Sequence, residues 1–182
     1  MDISINDSIN ILENWIENNN YKGYEPFDGL SSYLFPLTFG NLFLERILQQ
    51  LIRQSPINLR PLLGVPFKDS TKGRGYIAWG YIKRYQLTKE EKYKEKAKNC
   101  LDWLIKNKSP QYENYSWGNH FKYASRGGRI PLYEPTIVWT SLIGQVFLDC
   151  FEILQEEKYL DIAKSICQWI IDLPREDRKK EL

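Results

Sequence analysis

Apolar residues recur along this chain at the three-to-four spacing of helices in six places, and nowhere in the alternation of a half-buried strand. Ile5, Ile9, Leu12 and Ile16 share one face of a first helix, and Leu44, Ile47, Leu48 and Leu51 share one face of a second. A third runs from about Gly75 to Leu87 and carries Ile77, Trp79, Tyr81, Ile82 and Tyr85. The fourth opens at Thr88 with Glu91 three positions on, the spacing of a capping box, and its buried stripe is Tyr93, Ala97, Cys100, Leu101 and Leu104. A fifth follows Pro135, and a sixth carries Tyr159, Ala163, Ile166, Cys167 and Ile170. The fourth and sixth have a charged side. The fifth is apolar nearly all round and is expected to be buried on both sides.

Two of these helices are copies. Glu90-Glu91-Lys92-Tyr93 recurs as Glu156-Glu157-Lys158-Tyr159, and the same shift carries Ala97 onto Ala163, Lys98 onto Lys164 and Trp103 onto Trp169. The first helix reads as a degenerate third copy, with Trp15-Ile16 in place of Trp103-Leu104 and Trp169-Ile170. A repeat longer than one helix pair predicts a helical hairpin plus an elaborated loop. The expected fold is therefore all-α. About three hairpins of inner and outer helices form a curved half-ring, a partial (α/α) toroid, within one domain over residues 1–182. Two long connections, Asn18–Phe39 and Asn107–Tyr133, interrupt the array. Both are rich in aromatic and polar residues, and long loops of that kind are where function gathers.

Composition narrows the partners. With 42% hydrophobic and 26% charged residues the chain of 182 is that of a folded domain with a real core. A formal charge of +2 is too balanced for a nucleic-acid-binding face, so no nucleic acid is expected. The most apolar stretch, Ile137 to Leu154, contains Gln145, Asp149 and Glu152, which argues against a membrane span. The start, Met1-Asp2-Ile3-Ser4, lacks the pattern of a signal peptide, and the 3 cysteines, Cys100, Cys150 and Cys167, read as core thiols of a reducing compartment. Together these point to a cytoplasmic location. One His and no close Cys pair give no metal site. Gly73-Arg74-Gly75 is not followed by the Lys-Ser/Thr of a phosphate loop, so no cofactor is expected.

Four segments resemble a little-characterised bacterial family: Tyr24-Glu25-Pro26-Phe27-Asp28-Gly29-Leu30, Ser55-Pro56-Ile57-Asn58-Leu59-Arg60-Pro61-Leu62-Leu63-Gly64, Tyr115-Ser116-Trp117-Gly118 and Pro135-Thr136-Ile137-Val138-Trp139-Thr140-Ser141. That family is an α/α-toroid of the six-hairpin glycosidase kind, associated with exopolysaccharide and cell-surface glycan production. The resemblance implies an oligo- or polysaccharide partner. It also implies that the chain corresponds to the N-terminal half of a longer toroid. On that reading a cut edge is expected to self-associate or to pair with a missing C-terminal half.

Candidate chemistry concentrates in the second long loop, at Tyr115, Trp117, Asn119, His120, Tyr123, Arg126 and Arg129. A polysaccharide lyase needs this mixture: an Asn, His or Arg to neutralise a uronate carboxylate, a His or Tyr to remove the adjacent proton, and a Tyr to protonate the leaving oxygen. Packing of Trp117, Phe121 and Tyr123 onto the helices explains the same residues without chemistry. A hydrolase instead needs two carboxyl groups about 5 to 10 Å apart. Glu25, Asp28, Glu113 and Glu134 are the loop candidates, although Asp28 is equally a turn residue and Glu134 equally a helix-start charge. Catalytic candidates are thus His120, Tyr123, Asp28 and Glu134. Substrate-binding candidates are Trp117, Asn119, Arg126, Arg60 and Trp139. A carbohydrate-active enzyme and a non-catalytic glycan-binding or scaffold module both remain open.

Overall fold

The computed structural model describes residues 4–174. Within them lie six α-helices: α1 (Ile5–Asn18), α2 (Leu42–Gln54), α3 (Thr71–Thr88), α4 (Glu91–Lys106), α5 (Ile137–Leu154) and α6 (Glu157–Asp172). The extended segments are four short strands, β1 (Lys22–Gly23), β2 (Lys68–Asp69), β3 (Tyr123–Ser125) and β4 (Gly128–Ile130). They form two antiparallel pairs, β1 with β2 and β3 with β4. The fold is all-α. Strands of two or three residues are too short to leave a period in the sequence, so both pairs fall inside segments expected to be loops.

The chain divides into two compact units, 1–74 with 119–134, and 75–118 with the residues from 135 onward. The second unit holds the two copies of the repeat. Both copies turn from one helix to the next through a left-handed residue, Lys89 (φ 59°) before α4 and Gln155 (φ 57°) before α6. In both, the N–H of that residue donates to a carbonyl four positions back, on Tyr85 and on Phe151. The core stripe expected on α4 is buried in full, from Tyr93 to Leu104. On α6 the buried face is Tyr159, Ile162, Ala163, Ile166 and Trp169; Cys167 lies on the solvent side, so only Cys100 and Cys150 are core thiols. Burial pushes the Cys150 thiol up to about 12, which leaves it protonated and inert.

Helix α5 supplies Ile143, Val146, Phe147 and Cys150 to this core. It is long and apolar enough to cross a membrane, yet it packs along α6, and Ile137 and Val138 at its start are exposed. The Asp149 carboxylate on α5 accepts from Trp79 Nε1 at 2.8 Å and pairs with Lys83 Nζ at 2.7 Å, which explains a charge within an otherwise apolar helix. Burial alone would raise that carboxyl, but Lys83, Trp79 and Gln145 together hold it below its ordinary value.

Three expectations fail here. The capping box does not form, because Thr88 is still the last residue of α3: its hydroxyl donates back to the Arg84 carbonyl, and Glu90 becomes the cap of α4. The first helix, expected as a degenerate third copy, does not take the core position of α4 and α6, since α1 buries none of its residues and Trp15 stands 51% exposed. The face expected to be buried on α2 points outward: Leu44, Ile47 and Leu51 are exposed, while Glu45, Gln49 and Ile52 are buried.

Candidate functional site

The reversal of α2 has a local cause in the first unit. The β3–β4 hairpin lies along this helix and offers polar partners where an apolar core would offer none. Glu45, with no exposed surface, receives the Arg129 guanidinium as a two-pronged pair, Nε to Oε2 at 2.8 Å and Nη2 to Oε1 at 2.7 Å. The Gln49 amide pairs with the backbone of Ala124 in both directions, accepting from its N–H at 3.0 Å and donating to its carbonyl at 3.3 Å. Gln49 thus serves the free edge of β3 as a neighbouring strand would. Arg129, expected among the loop's chemical groups, is committed to fixing the hairpin.

On the same helix rests the 3-10 turn Asp28–Ser31. Gly29 permits the approach, for a Cβ there would lie 3.2 Å from the Gln49 Cα. Asp28 opens this turn, 2% exposed. One of its oxygens accepts from the Glu25 N–H at 2.8 Å and the other from Arg60 Nε at 2.7 Å. Arg60 also donates to the Glu25 carbonyl at 3.1 Å, and the Glu25 carboxylate pairs with Lys72 Nζ at 2.9 Å. Two carboxylates from one loop are therefore each met by a cation from a distant segment. Burial pushes the Asp28 carboxyl above its ordinary value, against the hydrogen bonds from Arg60 and the Glu25 N–H. Beside this pair of pairs, Arg74 holds Asp69 at 2.7 Å and lies 3.8 Å over the Tyr21 ring.

His120 and Tyr123 come to this cluster from the third segment of the unit. His120 is half-buried, with its ring edge-on to Phe121 at 5.2 Å. Burial lowers its imidazole below the ordinary value and the nearby Lys68 charge adds to that, while Glu25, Asp28 and Asp69 pull the other way. At neutral pH it is an uncharged imidazole able to take up a proton. The Tyr123 ring stands 6.2 Å from Phe27, next to Asp28 in sequence, and burial raises its phenol so that it keeps its proton. Asn119 is buried and its carbonyl accepts from the Tyr133 N–H at 2.7 Å. Tyr24 and Phe67, with ring centres 5.0 Å apart, add a second aromatic pair, and the Arg60 guanidinium lies 5.9 Å over Tyr24.

Asp28, Arg60, His120, Asn119 and Tyr123 thus belong to one unit, and the charge of Asp28 reaches the His120 ring. Arg126 is exposed at the tip of the β3–β4 hairpin and Glu134 is half-buried at the end of the segment. The remaining two lie in the other unit. Trp117 is fully enclosed there, with Phe147 stacked at 5.9 Å, Tyr115 at 6.0 Å and its indole N–H on the Leu104 carbonyl at 2.9 Å. No ring face is left for a sugar, and the stacking role expected of Trp117 gives way to core packing. Trp139 is half-buried on the first turn of α5. Lys72, Asp69 and Tyr24 are participants that the sequence reading did not single out. Lys72 meets Glu25 across 47 positions, a pairing with no local spacing to read, whereas Asp69 and Arg74 lie five apart and Tyr24 takes part through its ring. Among the described residues no cluster of His, Cys, Asp and Glu is arranged to hold a metal.

No protein-family model matches the chain, and no curated protein matches it. Among solved structures it is similar to a family 76 glycoside hydrolase from a bovine Bacteroides thetaiotaomicron strain, with 23% identity and a TM-score of 0.43. The likeness covers 55% of this chain and spans 22% of that one, and at this level it carries no argument about activity.

Proposed function

We propose that the first unit binds an acidic oligo- or polysaccharide, and that this protein handles glycans. The observation that carries the reading is the meeting of flat aromatic rings with paired charges from three segments. Phe27 with Tyr123 and Tyr24 with Phe67 lie beside the Asp28–Arg60 and Glu25–Lys72 pairs and the neutral His120. Aromatic faces suit the apolar faces of pyranose rings, and the Lys68 charge near His120 suits a carboxylate substituent. The resemblance of segments 24–30 and 55–64 to a glycan-associated toroid family supports the same reading, because Asp28 and Arg60 come from those two segments.

Among reactions on such a ligand, β-elimination suits the groups better than hydrolysis. Hydrolysis needs a carboxylate ready as base or nucleophile, and here Glu25 and Asp28 are each neutralised by a cation. In β-elimination His120 would take the proton from the carbon next to the uronate carboxylate as the ring double bond forms. Tyr123 would give its proton to the departing glycosidic oxygen, with Asn119 steadying the carboxylate. The rival is binding without turnover.

Incubation with a panel of acidic and neutral polysaccharides separates the two, following the ultraviolet absorbance of unsaturated uronate ends, the release of reducing ends, and binding. Elimination predicts unsaturated ends from an acidic member, reduced about 10²–10⁴-fold by His120→Ala with binding retained. Binding without new ends assigns the accessory role. If no member binds at all, the proposal fails.

A further inference from the structure

The cations of the first unit are not all alike. Arg60, Lys72, Arg74 and Arg129 each close on a carboxylate, on Asp28, Glu25, Asp69 and Glu45 respectively. Arg53, in the last turn of α2, is exposed and pairs with no carboxylate among the described residues. Its guanidinium carbon lies 4.5 Å from the centre of the Phe27 ring. A positive charge suits the end of a helix, but a lysine would serve that purpose as well. A seat over a ring is a contact to which the guanidinium is better suited, and it leaves the N–H groups around its edge available.

That seat is one ring away from Tyr123. Phe27 neighbours Tyr123 at 6.2 Å, Tyr123 neighbours Phe121 at 6.5 Å, and Phe121 neighbours His120 at 5.2 Å, so ring contacts link Arg53 to His120. At the His120 member stands a second cation without a carboxylate partner among the described residues, Lys68 of β2, whose charge acts on the imidazole. Two available cations thus stand at different members of the series. A ligand carboxylate held at His120, between Lys68 and Asn119, leaves Arg53 for another acid. In elimination the sugar that loses its proton and the sugar that departs are joined by the oxygen that Tyr123 would protonate. Arg53, on the Tyr123 side, is then placed for the departing sugar.

We propose that Arg53 sets the specificity of the glycan site: it takes the carboxylate of the sugar next to the one held at His120, so the ligand carries an acid on consecutive sugars. This rests on the reading of the first unit as a site for acidic glycans, with or without turnover. An acid on every second sugar would set Arg53 against a neutral ring.

The test is calorimetric titration of the full chain with two kinds of ligand. Oligogalacturonate, oligomannuronate and oligoguluronate bear a carboxylate on every sugar, and a hyaluronan oligosaccharide of equal length bears one on every second sugar. Wild type is expected to bind one of the first three most tightly. Arg53→Met keeps the stem against Phe27 and should weaken that ligand about 10–100-fold, the range of charge-assisted hydrogen bonds, with any affinity for hyaluronan unchanged. Arg53→Lys, which keeps the charge at the helix end, should give the same selective loss at lower amplitude and decides the matter even if Arg53→Met misfolds. Tighter binding of hyaluronan by wild type, or variants that bind the preferred oligouronate as wild type does, would overturn the role of Arg53 and leave an acidic-glycan site standing. So would an equal loss on both kinds of ligand, which is what a merely structural role gives. If no acidic ligand binds wild type, the inference falls together with the reading it rests on.

Discussion

Removing the Arg60 guanidinium leaves the Asp28 carboxylate buried with only the Glu25 N–H to meet it. Breaking one side of a buried pair costs about 3–5 kcal/mol, so Arg60→Ala is expected to lower stability in urea unfolding by that order. Arg60→Met combined with Asp28→Asn is expected to lose less, since no charge then stays buried alone. His120 acts through pH. Its folded-state pKa is depressed, so the unfolded chain takes up the proton first on acidification. The His120 contribution is fully present above the unfolded value of about 6.5 and is lost as pH falls towards the folded-state value. Melting temperatures of wild type should therefore drop between about pH 7 and pH 5 more steeply than those of His120→Gln. Equal slopes would remove His120 from the account. At this scale the sequence singles out Asp28, Arg60 and His120, but not their meeting. Asp28 and Arg60 are 32 positions apart, and nothing local in either segment encodes the pairing.

Among the elements, the buried stripe of α4 is legible to the residue, because Tyr93, Ala97, Cys100, Leu101 and Leu104 obey the ordinary rule that the apolar side faces the core. Helix α2 breaks that rule. Its polar side is buried because Arg129 and Ala124 lie 84 and 75 positions away and satisfy Glu45 and Gln49 there. The hairpin that brings them is three residues on each strand, below the reach of periodicity. The account makes Gln49 the device that couples α2 to β3. Gln49→Leu strands the buried N–H and carbonyl of Ala124, at about 1–3 kcal/mol for each group left unpaired. Thermal unfolding should register the loss, and the Ala124 amide should exchange faster. An unchanged Ala124 exchange rate would show that the hairpin is held by other contacts. The capping box at Thr88 fails for a related reason: its spacing is right, but α3 continues through the position the cap would need.

Over the whole chain, the all-α class follows from the six apolar periods, and the two repeat copies both stand in the second unit with the same left-handed turn. The candidate site lies in the other unit, where the repeat is weakest. Its parts are short turns and loop segments, which leave charged and aromatic residues in the sequence without a period to place them. That division of labour makes the central claim, a saccharide site in the first unit, testable by location. Hydrogen exchange followed by mass spectrometry, with and without a saturating acidic oligosaccharide, reads it directly. The account predicts slower exchange in peptides covering 21–30, 58–74 and 119–134, with those from 91–106 and 157–172 unchanged. Protection confined to α4 and α6, or none in the three loop segments while the ligand is bound, would contradict it.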